Sequence, residues 1–333
     1  MDRPPKLTRT GARRARSRPC CTCLAVAGLG FLAALLASAC AEKQTPELPP
    51  KPPPPPLEYL GEWGVKGDGP GQLSMPLSLA TDSVGNVFLA DGGSRFIHKF
   101  DPRGGPLLSF QDERLKKPIA IAVDRGGAIY VADLARNTVL LFLPDGTRIR
   151  EIEGGPRLRF RSPVGVAVDD DGNLFVAELE AHRIQKLDPR GRLLKVWGKK
   201  GSGPAEFLYP RDIALGPDDF LYVVDAEGSR VQKFTRDGEW VASCGSAAEL
   251  TSTADRLVGL AVSAKAVFVA AGPSGKVMAW TLDCQLRPME DPGGHLQFSP
   301  GQSEPSDVTI TPAGELLVLD SLGPRVLRFR VNF

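Results

Sequence analysis

From residue 57 onward, short apolar runs alternate with turns rich in Asp, Gly and Pro. Val87-Phe88-Leu89-Ala90, Ile129-Tyr130-Val131-Ala132, Leu174-Phe175-Val176-Ala177 and Leu221-Tyr222-Val223-Val224 are typical. Each is too short for a helix and is dominated by β-branched and aromatic residues, so each predicts a buried strand. Stretches such as Asp169-Asp170-Asp171-Gly172 predict tight hairpins between a first and a second strand.

The runs recur in a fixed order. A Pro is followed by an Ala-Val-Asp stretch, a Gly, an apolar run ending in an acid, and a third run such as Arg183-Ile184-Gln185-Lys186-Leu187-Asp188. The leading positions are Pro76, Pro118, Pro163, Pro210, Leu257 and Pro305, at spacings of 42, 45, 47, 47 and 48 residues. A period of this length with several strands per unit predicts the blades of a β-propeller. The fifth unit has lost its Pro, its acid and its Gly hairpin, and its flanks, 246–255 and 288–304, are the least repetitive segments.

The ordered pattern resembles the NHL repeat across residues 57–333. The resemblance implies an all-β, six-bladed β-propeller. Tyr59-Leu60-Gly61-Glu62-Trp63-Gly64 matches the outer-strand segment Lys195-Val196-Trp197-Gly198, and the last unit stops after its third strand. The N-terminal strand is therefore expected to complete the last blade, covering an otherwise open edge.

Residues 1–39 read as an export signal. Arg13-Arg14-Ala15-Arg16-Ser17-Arg18 precedes an uncharged, apolar stretch ending in small residues. Ala37-Ser38-Ala39-Cys40 resembles a bacterial lipobox with Ala at the usual Leu position, so Cys40 is the expected lipidation site. Ordinary signal cleavage and retention of the apolar stretch as an anchor are the other readings of the segment. Residues 40–56 form a tether, with Pro-Pro-Lys-Pro-Pro-Pro-Pro-Pro at 49–56 expected to be a stiff polyproline spacer. Every one of these readings places the repeats in the cell envelope, outside the cytoplasm.

That division changes the charge. The chain carries a formal +2, but residues 1–39 hold seven of its 41 bases and one of its 39 acids. The remainder has 34 bases and 38 acids, a net of −4. A phosphate-binding basic surface is not expected, and neither is a nucleic-acid partner.

Candidate chemistry is sparse. The acid closing the second strand recurs as Asp91, Asp133, Glu178, Asp225 and Asp320, with a base five residues later in several units. These read as surface pairs that cap a loop once per blade, each worth about 0–1 kcal/mol. Two residues after each leading position the sequence reads Ser78, Ala120, Gly165, Asp212, Gly259 and Asp307. Asp212 and Asp307, with Arg211 beside the first, are expected at the mouth of the central channel, where two carboxylates would suit a divalent cation or a basic ligand. No resident cofactor is expected otherwise. His98, His182 and His295 share no metal-ligand spacing, and no P-loop, EF-hand or nucleophilic triad is present.

Cys244 and Cys284 read as unbridged. Cys244 aligns with Trp197 at the end of an outer strand, and Cys284 lies at the turn into the next outer strand. In a flat reading of the repeat those are opposite ends of neighbouring blades. The expected protein is a monomeric, membrane-anchored binding or scaffolding propeller whose partner is another envelope protein or a small ligand. The alternative is a metal-dependent hydrolase or lyase working in the channel.

Overall fold

The computed structural model describes residues 55–245, 256–289, 291, 293–296, 298, 299 and 301–333. The export segment, Cys40, nearly all of the proline-rich stretch and the segment 246–255 lie outside the described residues. Among the described residues every regular element is a strand, and no helix is long and apolar enough to cross a membrane.

Six four-stranded antiparallel sheets form the blades. Blade one comprises Pro76–Thr81, Val87–Asp91, Ile97–Phe100 and Pro106–Phe110, from the inner to the outer strand. Blade two comprises Pro118–Val123, Ile129–Asp133, Thr138–Phe142 and Arg148–Ile152. Blade three comprises Pro163–Val168, Leu174–Glu178, Arg183–Leu187 and Leu193–Trp197. Blade four comprises Pro210–Leu215, Phe220–Asp225, Arg230–Thr235 and Trp240–Cys244. Blade five comprises Leu257–Val262, Val267–Ala271, Lys276–Trp280 and a two-residue outer strand, Leu286–Arg287. Blade six comprises Pro305–Ile310, Glu315–Asp320 and Arg325–Val331, and its outermost strand is Leu57–Trp63. That strand pairs antiparallel with Arg325–Val331, from Leu57 opposite Val331 to Trp63 opposite Val326.

In the first five blades the second strand is apolar up to its closing residue because both of its faces are covered, and in blade six the run begins after Glu315. Val87–Asp91, Ile129–Asp133 and Leu174–Glu178 are buried at every position. The cores lie between blades rather than within them. Phe88 and Ala90 of blade one pack with Ile121, Val131 and Leu140 of blade two. The ring closes in the same way, with Leu79, Leu89 and Phe100 of blade one against Leu317, Leu319 and Val326 of blade six.

The repeated acids are not surface groups. Asp91, Asp133, Glu178, Asp225 and Asp320 have no exposed area. They cap loops as expected, but the loops and linkers fold over them and shut the carboxylates off from solvent. Asp91 accepts N–H bonds from Ser74 (2.7 Å) and Met75 (3.0 Å) in the linker before its blade, and from Gly93 and Ser94 in the loop after its strand. Asp320 does the same with Glu304 and Gly323, at 2.9 Å each. Arg183, Arg230 and Arg325 then pair with the buried acids Glu178, Asp225 and Asp320. Removing such an acid strands several buried donors, a larger loss than that of a surface pair.

A disulfide links Cys244 and Cys284, whose Cα atoms are 4.5 Å apart. The flat reading of the repeat was wrong about this distance. Blades are staggered, so the last residue of each outer strand covers the turn before the outer strand of the following blade. A Cβ built on Gly104 would lie 2.2 Å from Trp63, one on Gly146 2.8 Å from Phe110, and one on Gly238 2.6 Å from Trp197. Those glycines have positive φ (88°, 87° and 79°) and leave room for the ring. Cys244 takes the aromatic position and Cys284, at φ 65°, takes the glycine position. At this seam a covalent bond stands where those at Gly104, Gly146 and Gly238 stack an aromatic side chain on a glycine.

Candidate binding site at the channel mouth

Six inner strands line the channel, and the residues two positions after each leading residue ring it near one end. Ser78, Asp212 and Asp307 border both the mouth cavity and the channel behind it. Asp212 and Asp307 are thus brought to one place, at the mouth, with Arg211 beside them.

An inner strand has no strand on its channel side, so its N–H groups there need acceptors. Side chains on neighbouring blades supply them. Asp212 Oδ2 accepts from the N–H of Leu260 in blade five at 2.7 Å. Asp307 Oδ2 accepts from Leu79 in blade one at 2.9 Å, and its Oδ1 from Val308 at 2.8 Å. Ser78 Oγ accepts from Ile121 in blade two at 3.3 Å. Each acceptor therefore reaches one residue beyond its counterpart on the next blade.

Small residues in the ring make room for the acids. A Cβ on Gly259 would lie 2.3 Å from Asp307 Oδ1 and 2.6 Å from Asp307 Cα. One on Gly165 would lie 2.9 Å from Asp212 Cα. Glycine in blades three and five is thus coupled to aspartate in blades four and six.

Burial sets the electrostatics. It pushes the Asp212 carboxyl up to about 6, against the pull of the Leu260 and Ile213 N–H groups and of Arg211. Burial also raises Asp307 well above the usual carboxylate range, with the charge of Asp212 adding to the effect. Arg211 is lowered by burial and by Arg256 nearby. It forms no salt bridge among the described residues.

The mouth cavity has a volume of about 230 Å³. Its apolar walls are Met75, Leu77, Ile119, Val164, Val258 and Leu322, and its polar groups include Arg211, Asp212, Glu304 and Asp307. The sequence reading missed Glu304. Its only signal was its place immediately before a leading proline, where other blades carry Met75, Lys117, Ser162, Tyr209 and Arg256. Among the described residues no three His, Cys, Asp or Glu side chains converge as a metal site. The histidines are dispersed. His98 is fully buried against Ser109 in blade one, His182 stacks beside Tyr209, and His295 stacks on Tyr59.

No curated protein matches this sequence. The NHL repeat profile matches residues 160–187 and 207–234, which lie in blades three and four. Among solved structures, a streptogramin B lyase is similar at 16% identity and a TM-score of 0.59, over 83% of this chain and 97% of that one. A virginiamycin B lyase from Staphylococcus aureus is similar at 15% identity and a TM-score of 0.56, over 83% and 89%. Hydrazine synthase of Kuenenia stuttgartiensis is similar at 16% identity and a TM-score of 0.56, over 80% and 97%. At these identities the likeness is one of fold. The periodic sequence and the six sheets together show a six-bladed β-propeller, whose third and fourth blades match the NHL repeat.

Proposed function

We propose that this propeller is a binding or scaffolding module of the cell envelope, held to a membrane through its N-terminal segment and a lipid on Cys40. It engages an envelope protein or a small ligand with the loops and channel mouth of one face. The observation that carries the reading is the state of the mouth's polar groups. Asp212 and Asp307 already accept backbone N–H bonds from blades five and one, so they hold the ring together. Arg211 is left as a partly buried guanidinium without an ion pair among the described residues, in a cavity that also holds Glu304. A recess with a few fixed charges and an apolar rim suits recognition of a protruding side chain or a small molecule. The disulfide at Cys244 and Cys284 supports an oxidising compartment.

The chain enters the propeller on the other face, where Asn332 donates to the carbonyls of Pro55 and Pro56 at 2.9 and 3.0 Å. The mouth thus opens on the face opposite Pro55 and Pro56. The test is capture of partners by the full chain from native envelope membranes, with Arg211→Glu as the comparison. A discrete partner retained by the natural protein and lost from the variant is expected. Identical capture by both proteins, or a tightly held metal with chelation-sensitive hydrolytic or lyase activity, would overturn the reading.

A further inference from the structure

A second cavity is larger than the mouth. It lies at the opposite end of the channel, among the hairpins that join inner and second strands, and has a volume of about 740 Å³. That is within the usual range of about 300–1,000 Å³ for a small-molecule site. Its inner wall is the ends of successive inner strands, Val168, Leu215, Val262 and Ile310, with Phe333 at the side.

The hairpins around this end are not equivalent. In blades one, two and three the turn opens with Asp82, Asp124 and Asp169, whose carboxylates accept the turn's own N–H groups. In blades four, five and six the same position is Gly216, Ser263 and Thr311, followed by Pro217, Ala264 and Pro312. Ser263 and Thr311 keep the turn bonds through their hydroxyls, accepting from Ala266 at 3.0 Å and Glu315 at 3.1 Å. The acid is therefore dispensable for the turn, and it is missing in three successive blades, all of which wall the cavity. An uncharged residue, Gly216, Ser263 or Thr311, replaces it at that position of the lip.

The charges that remain are three cations and three carboxylates. Asp170 is paired with Arg125 at 2.6 Å, Asp219 is paired with Arg236, and Asp169 is turned into its own hairpin. Lys265 has no ion pair among the described residues, and the Nε of Arg236 is buried without an acceptor. Lys265 is thus the cation left over, beside the apolar strand ends Val168, Leu215, Val262 and Ile310.

We infer that this cavity is a second binding site, for a small amphipathic anion with an apolar body lying on Val168, Leu215, Val262 and Ile310 and a carboxylate meeting Lys265. Ligand binding here is separate from partner binding at the mouth and does not depend on it.

The test uses the full chain with a photoreactive diazirine analogue of decanoate, followed by mapping of the labelled peptides. Labelling confined to blades three to six around residues 215–217, 262–265 and 310–314 is expected, displaced by decanoate and not by decylamine. The double variant Ser263→Asp with Thr311→Asp places in two blades the residue that three others already carry, so the turns are kept while negative charge enters the lip. Capture should fall at least tenfold. Lys265→Glu, at an exposed side chain without an ion pair among the described residues, should lower it similarly. Equal displacement by decylamine, labelling spread over the whole surface, or unchanged capture by both variants would overturn the inference.

Discussion

The disulfide between blades four and five gives the sharpest stability prediction. It closes a loop spanning 40 residues of sequence. The chain-entropy relation for a loop of that length gives about 4 kcal/mol at 25 °C. Cys244→Ser with Cys284→Ser should therefore lower the free energy of unfolding by about 4 kcal/mol, and reduction of the natural protein should do the same. The seam also offers a repair. Cys244→Trp with Cys284→Gly would install the pair used at the seam between blades three and four, where Trp197 lies on Gly238. Burying a large apolar side chain contributes about 1.5–3 kcal/mol, so this variant should recover roughly half of the loss without any dependence on reductant. Guanidinium denaturation of the full-chain proteins, with and without reductant, reads both effects as shifts of the midpoint. If the serine variant and the reduced protein unfold at the midpoint of the oxidised protein, the seam is not a clasp and the reasoning fails. If the tryptophan–glycine variant is no better than the serine variant, the equivalence of the two kinds of seam is wrong.

Three further outcomes follow from the same geometry. Burial lowers His98 to about 4, so its neutral form is favoured by folding, and the stability it lends is lost as pH falls from about 6.5 toward 4, by about 3 kcal/mol. His98 sits where other blades carry Gln185 and Gln232, and His98→Gln should remove that acid-side loss in melting curves recorded from pH 4 to 7. Asp212 acts in the opposite sense. Its raised folded value favours the protonated form, so its contribution is present below about pH 4 and is lost as pH rises through 6, by at most about 3 kcal/mol for this partly buried group. Asp212→Asn should remove part of the slope that opposes His98, so that stability falls more steeply toward acid than in the natural protein; an unchanged profile would count against the assignment. Gly259→Ala should cost about 1–3 kcal/mol by overpacking, and Asp307→Ser should not rescue it, because the Asp307 Cα itself lies 2.6 Å from the new methyl position. Full rescue in a denaturation series would show that only the carboxylate is in the way.

Much of the fold was legible because the propeller writes itself into sequence as a period. The second strands are buried on both faces and read as apolar runs, and the turns of five blades carry Asp or Gly. What the period hides is the relation between neighbouring units. The equivalence of Cys244 to Trp197 was visible, yet the distance to Cys284 depends on the stagger of blades, which no single repeat encodes. The pairs Trp63 with Gly104 and Phe110 with Gly146 were the available signal, an aromatic in one unit answered by a glycine in the next. The mouth shows the same limit. The position of Asp212 and Asp307 could be read from the register, but their bonds to Leu260 and Leu79 run one residue out of register across a seam. The repeated acids looked like surface groups because charge alone does not show that a linker folds over them.

The central claim is that this propeller binds a partner with its mouth face. A photo-crosslinking amino acid placed at Leu322, an exposed residue lining the mouth, tests it most directly when compared in native membranes with the same group at Val84, an exposed hairpin residue on the other face. The account predicts a discrete protein or ligand adduct at position 322 that is abolished by Arg211→Glu, and none at position 84. Equal adducts at both positions, or an adduct at 84 alone, would contradict it.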